Sequence, residues 1–139
     1  MIRHGVLLAV ALAGCTPGPP AVPPAGRQFD GAYAGQDVLQ SGVDFQCGDQ
    51  NLTERLVIRD GRFDYPFQVN PPRTAPLPVQ IGIDGSVFGQ MQYGTEDSLG
   101  LRTRYRTDWV TLQGQIRGDT LDATLTNYRC VRHLTARRN

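Results

Sequence analysis

The chain has 139 residues, 14 basic against 13 acidic side chains, and a formal net charge of +1. A balance so near neutral lacks the basic face that nucleic-acid binding needs, so no nucleic-acid partner is expected. The length allows one domain. Its three cysteines are an odd number, so one thiol must be used outside any internal pair.

The amino terminus begins Met1-Ile-Arg-His, followed by the apolar run Gly5-Val-Leu-Leu-Ala-Val-Ala-Leu-Ala. That run is too short to span a bilayer, which takes about 20 residues. A charged start, a short apolar core and small residues before a break form an export signal. The run ends Leu12-Ala13-Gly14-Cys15, which resembles the lipobox of bacterial lipoproteins. The resemblance implies that residues 1–14 are a cleaved signal peptide. It also implies diacylglycerol on the Cys15 thiol and a further acyl chain, such as palmitate, on the new amino group. Thr16 rather than Asp follows the cysteine, and by similarity to enterobacterial sorting this favours the outer over the inner membrane. Residues 15–28 continue Thr16-Pro-Gly-Pro-Pro-Ala-Val-Pro-Pro-Ala-Gly. Proline cannot propagate a helix, so this stretch is expected to be an extended, semi-rigid tether.

From residue 29 to 139 no stretch keeps a 3.6-residue apolar period. Short runs rich in Val, Ile, Thr, Tyr and Phe alternate instead with glycine-centred turns, the signature of strands and hairpins. A strand is expected near Gly31–Gly35. Leu56-Val-Ile leads through Asp60-Gly61 to Arg62-Phe-Asp-Tyr-Pro-Phe. Val79-Gln-Ile-Gly-Ile leads through Asp84-Gly85 to Ser86-Val-Phe-Gly-Gln-Met. Trp109–Ile116 leads through Gly118-Asp119 to Thr120–Leu125, and Cys130–Ala136 forms a last strand. Pro71-Pro72 with Pro76–Pro78 reads as a loop, and so does Gly94–Gly100. About eight antiparallel strands follow, which predicts an all-β fold: a small barrel or strongly curled meander, since closure removes exposed edges. The inward set expected from period-two alternation is Tyr33, Leu56, Ile58, Phe63, Tyr65, Phe67, Ile81, Ile83, Val87, Met91, Val110, Leu112, Ile116, Leu121, Leu125 and Leu134.

With Cys15 used by the signal, Cys47 and Cys130 remain as a pair. A bridge between them would close about 84 residues and contribute roughly 4.5 kcal/mol through loop entropy, in keeping with an exported protein. No catalytic constellation is present. His133 is the only histidine after the signal, no serine sits in a nucleophile elbow, and no glycine run opens a phosphate-binding helix. Asp37, Asp44, Asp49 and Asn51 cluster in sequence without the spacing of a calcium loop. Scattered acids such as Asp30 and Glu54, or Asp64 and Asp122, are not brought together by any pattern. No metal or cofactor is therefore expected.

Arg102-Thr-Arg104-Tyr-Arg106 places three arginines at period two, on one face of a strand. Arg129, Arg132, Arg137 and Arg138 add charge towards the carboxyl end. Arg102, Arg104 and Arg106 are candidate contacts for an anionic glycolipid or a partner's carboxylates, which guanidinium groups bind bidentately; a solvated strand face is the plainer alternative. The opening Phe29-Asp-Gly-Ala-Tyr-Ala-Gly and the repeated Asp-Gly hairpins resemble small β domains of bacterial envelope proteins, which implies fold and location but no activity. The expectation is a monomeric, non-enzymatic envelope protein, bound to the membrane through Cys15 and contacting an envelope partner. Two alternatives are an inhibitor of an envelope or host hydrolase, in general plan like the small lipid-anchored lysozyme and protease inhibitors, and a carrier of a small apolar ligand.

Overall fold

The computed structural model of the chain describes residues 26–99 and 102–139. The proposed signal peptide, Cys15 and most of the tether lie outside the described residues, as do the side chains of Asn70, Arg102 and residues 97–99. Eight strands run in order: β1 (Gly31–Ser41), β2 (Asn51–Ile58), β3 (Arg62–Asn70), β4 (Arg73–Ile81), β5 (Ser86–Leu99), β6 (Arg102–Arg117), β7 (Thr120–Thr126) and β8 (Val131–Arg138). One short helix, α1 (Asp44–Cys47), precedes β2.

All pairs are antiparallel, in the spatial order β2-β1-β8-β7-β6-β5-β4-β3. The sheet is an all-β, nearly closed barrel. Closure fails at one seam. The Asp60-Gly61 turn forms as expected, with both residues at positive φ (52° and 66°), the conformation of a tight two-residue hairpin. The carboxylate of Asp30 caps it by accepting from the amides of Asp60 and Gly61 at 2.8 and 2.9 Å. Yet β2 and β3 are joined only at Arg59 and Arg62; beyond them β2 pairs with β1 and β3 with β4. The first expected hairpin is therefore a turn without a ladder. Pro66 adds to the separation further along: its nitrogen faces the β2 side of β3, where it has no hydrogen to donate.

Alternation along the strands fills the interior. Tyr33, Leu56, Ile58, Phe63, Tyr65, Phe67, Leu77, Val79, Ile81, Val87, Val110, Leu112, Ile116, Leu121, Leu125 and Leu134 form one buried cluster. Ile83 departs from expectation at 60 % exposure, because the chain turns at Gly82 and ends the alternation. Met91 is half-buried against the cluster edge. Leu77 and Val79 join the core because Pro76 and Pro78 lie within β4, where a loop was expected. Gly94–Gly100 also departs from expectation: β5 continues to Leu99, since its whole length is laddered to β6. Tight curling needs close backbone approach, and Gly35 and Gly114 provide it. A Cβ at Gly35 would stand 1.9 Å from the Thr135 carbonyl oxygen, and one at Gly114 2.1 Å from that of Asp122.

The two barrel ends differ. The chain enters at the end holding the Asp60-Gly61 turn, where the amide of Gly26 donates to the Ile81 carbonyl at 2.9 Å and the Tyr33 hydroxyl donates to the Phe29 carbonyl at 2.9 Å. The opposite end carries α1, the Cys47–Cys130 disulfide (Cα–Cα 5.7 Å) and the long β5–β6 hairpin. The β6–β7 ladder begins at Thr111, while β5 and β6 stay paired from Tyr93 with Asp108 out to Leu99 with Arg102. That part is a two-stranded ribbon projecting beyond the barrel wall.

Candidate functional site

Two groups of polar side chains meet at the ribbon end. The first is buried. Asp37 lies on β1 at the inward phase set by Tyr33 and Leu39, and is fully buried; Arg132, inward from β8, is 3 % exposed and Glu54, inward from β2, is 7 % exposed. Arg132 donates from Nε to Asp37 Oδ1 at 2.9 Å and from Nη2 to the Asp37 carbonyl at 3.1 Å. Its remaining donors reach the Cys47 and Asp49 carbonyls, each at 2.9 Å. The guanidinium thus ties β1, β8 and the α1 segment beside the disulfide. Tyr65, from β3, donates its hydroxyl to Asp37 Oδ2.

This arrangement fixes protonation. Burial, then the charge of Asp37 and the bond to it, hold the Tyr65 phenol well above its ordinary range, so it stays a donor. Burial, then repulsion from Asp37, push Glu54 up to about 7 against the opposing pull of Arg132. Asp37 has both oxygens engaged, which suits a structural anchor rather than a proton-transferring acid. Arg132 was expected to add to a surface charge; it lies inside the barrel instead, where the alternation Cys130-Arg132-Leu134-Ala136 puts it. The same period-two rule along Tyr33-Gly35-Asp37-Leu39 and Leu52-Glu54-Leu56-Ile58 was the signal available for the two acids. Polar residues at inward phases are easily read as solvent-facing, so the cluster escaped sequence reasoning.

The second group lies on the ribbon. Arg102 sits in β6 opposite Leu99, with its side chain outside the described residues; Arg104 stands opposite Asp97 and Arg106 opposite Thr95. Directly opposed residues share a face. Arg106 therefore projects on the side of Thr95 and Tyr93, which continues the barrel interior, while Tyr105, Thr107 and Trp109 take the outer side. Arg106 is engaged: its Nε lies 2.9 Å from Asp108 Oδ2, and its guanidinium covers the Tyr128 ring at 4.3 Å, with Arg129 on the same ring at 4.6 Å. Burial, then Asp108 and Tyr128, push the phenol of neighbouring Tyr93 up to about 12. Arg73 and Arg104 have no ion-pair partner among the described residues.

The other candidates from sequence do not converge. Asp30 caps the β2–β3 turn, and Asp122 lies 3.1 Å from His133 Nε2 at the surface. Asp37 is sealed inside, away from any loop it would share with Asp44. Among the described residues no group of three His, Cys, Asp or Glu side chains is placed to hold a metal ion.

Beside the ribbon runs a cleft of about 480 Å³, lined by Val69, Arg73 and Thr74 on one wall and by Gly94–Glu96 and Tyr105–Thr107 on the other. The β4–β5 ladder has only three pairs, ending at Val79 with Gly89, and the cleft opens beyond it. No protein-family model, curated protein or solved structure matches the chain.

Proposed function

We propose that the chain is a bacterial envelope lipoprotein whose barrel is a non-catalytic binding module, held at a membrane by lipid on Cys15 and most consistent with the outer membrane. The observation that carries the reading is the opposition of the two barrel ends. The polypeptide joins the barrel at the Gly26–Asp30 end, and the ribbon with its cleft projects from the other. A lipid-tethered domain of this build holds its ribbon away from the bilayer, towards whatever shares the compartment. The cystine adds the covalent staple that a domain of about 110 residues benefits from outside the cytoplasm.

The test is the intact mass of the protein extracted from native membranes, with and without reductant. The expected result is a chain beginning at Cys15 with three acyl chains, gaining two mass units on reduction and lost from the membrane fraction by Cys15→Ala. A chain still starting at Met1 and free of lipid overturns the reading.

One observation favours a second reading, hydrolase inhibition. Tyr105 is 77 % exposed on the projecting ribbon, the kind of element that enters a cleft. The Pro71–Pro78 segment is less suited to that task, because Pro76 and Pro78 are committed to β4. Unchanged rates of lysozyme and periplasmic proteases at stoichiometric excess of the protein remove this alternative. The apolar-carrier reading has less support. The axis of the barrel is occupied by Tyr33, Tyr65, Leu77 and Leu112, each at most 2 % exposed.

A further inference from the structure

We infer that the free edge of β5, from Gln92 to Glu96, accepts an extended acidic segment of a partner protein as an added β-strand. The inference rests on the binding-module reading and names the chemistry of its partner.

The argument begins with two prolines. Continued in register, the β4–β5 ladder would set Pro78 opposite Gln90, Pro76 opposite Gln92 and Thr74 opposite Gly94. The pairing stops instead at Val79 with Gly89. In the β3–β4 ladder, Pro76 faces Pro66 and Pro78 faces Asp64. These are positions without mutual hydrogen bonds, because the bond from the Ile81 amide to the Gly61 carbonyl fixes the alternation on its neighbours. The nitrogens of Pro76 and Pro78 therefore point towards β5 with nothing to donate. β4 cannot complete the ladder, and the backbone groups of Gln92, Gly94 and Glu96 that face it are left open.

An uncovered edge is a template for another strand, and proteins normally blunt such edges. Here the edge is recessed rather than blunted. The cleft is lined by Val69 and Thr95, which face inward, and by Tyr105 and Thr107, which face outward. The lining draws on residues of both faces, so the cleft lies along the open edge between β4 and β5. Gly94 there has no side chain, and nothing beyond its own chain neighbours lies within 4 Å of where a Cβ would stand. Main-chain bonding along such an edge supplies affinity, and flanking side chains supply specificity. The flanking charge not already paired is positive at Arg73, which lines the wall, and at Arg104 further along the ribbon, against the lining acid Glu96; Arg106, half-exposed at 52 %, is already paired with Asp108. An extended segment with alternating carboxylates matches that pattern.

The probe is the peptide acetyl-Glu-Val-Glu-Val-Glu-Val-Glu-amide, added to the full chain purified in detergent. Two control peptides carry either N-methyl groups on alternate amides or Lys for each Glu. Hydrogen–deuterium exchange by mass spectrometry locates the contact, and fluorescence anisotropy gives the affinity. The expected result is slowed exchange over residues 90–96 and binding at least tenfold weaker for both controls. Gly94→Pro removes one amide of the open edge and no hydrogen bond of the β5–β6 ladder, and weakens binding at least tenfold; Arg73→Glu weakens it for the acidic peptide and strengthens it for the lysine one. Equal binding of the N-methylated peptide overturns strand addition. So does protection centred on Tyr105–Trp109, or self-association of the chain through β5 seen by sedimentation. If strand addition fails while cross-linking in native envelopes still captures one defined protein, the binding-module reading stands without it. If cross-linking also captures none, that reading falls too.

Discussion

The hydroxyl of Tyr65 on β3 donates to the carboxylate of Asp37 on β1, reaching past β2 across the seam where β2 and β3 separate. The backbone closes this seam only at Arg59 and Arg62, so the side-chain bond does at mid-barrel what a ladder does elsewhere. Tyr65→Phe leaves a buried carboxylate oxygen without its donor. A hydrogen bond to a charged group is worth about 1.5–3 kcal/mol, and the loss should appear in full as a lower urea midpoint. Amide exchange should rise first in residues 51–58 and 62–68, the two strands flanking the seam. A mutant with unchanged stability would assign closure to core packing alone.

Arg132 sits in the same cluster with a larger stake. It satisfies Asp37 and the Cys47 and Asp49 carbonyls together. Arg132→Met removes the only cation bonded to the fully buried Asp37 among the described residues, and breaking a buried pair from one side costs about 3–5 kcal/mol. Replacing both partners, Asp37→Asn with Arg132→Met, removes the uncompensated charge and should recover part of that loss. The double-mutant cycle in urea measures the coupling. Additive single losses would mean the pair contributes nothing beyond its separate packing.

Glu54 gives the fold a pH dependence of defined sign. Its pKa lies at about 7 in the folded chain against an ordinary 4.5, so the folded state binds the extra proton between those values. The contribution to stability is whole below pH 4.5, falls as pH rises towards 7, and is lost above it. At about 1.4 kcal/mol per pH unit the span is at most roughly 3 kcal/mol, lessened by solvent reaching the barrel end. Glu54→Gln should flatten this part of the urea-midpoint profile from pH 4.5 to 8, and should make the protein more stable than the parent at pH 8. An unchanged slope in the mutant would place the titration on another group.

The sequence carried the fold further than the site. Asp-Gly at residues 60–61 and 84–85, and the alternation through Val110, Leu112 and Ile116, mark turns and inward faces from local chemistry alone. The cystine between Cys47 and Cys130 followed from thiol arithmetic. Two features were hidden because their cause is not local. Pro76 and Pro78 signal a loop by composition, yet a strand tolerates them when its nitrogens face a gap. Asp37, Glu54 and Arg132 obey the period of their strands, but each looks like a surface residue until the other two are placed beside it. The arginines at 102, 104 and 106 were legible as a stripe, whereas the Tyr128 ring that holds Arg106 comes from a distant turn.

Gly42 follows β1 with no room for a side chain beside the disulfide, and it offers a test that leaves every cysteine in place. Its φ of +118° is one that side chains disfavour. A Cβ there would lie 2.5 Å from Cys47 Sγ and 2.8 Å from the Arg129 carbonyl oxygen. Gly42→Ala must therefore strain the backbone and displace either the cystine or the turn before β8. Overpacking of this kind costs about 1–3 kcal/mol, and the displaced Cys47 carbonyl would loosen its bond to Arg132. Reduction of the parent should remove the loop-entropy contribution, roughly 4.5 kcal/mol by the chain-closure relation. In the reduced state Sγ is free to move, so the penalty of Gly42→Ala should shrink. Urea curves for both proteins, oxidised and reduced, give the four numbers needed. A penalty that is the same with and without the bridge would assign the strain to the backbone at Gly42 rather than to the crowded sulfur.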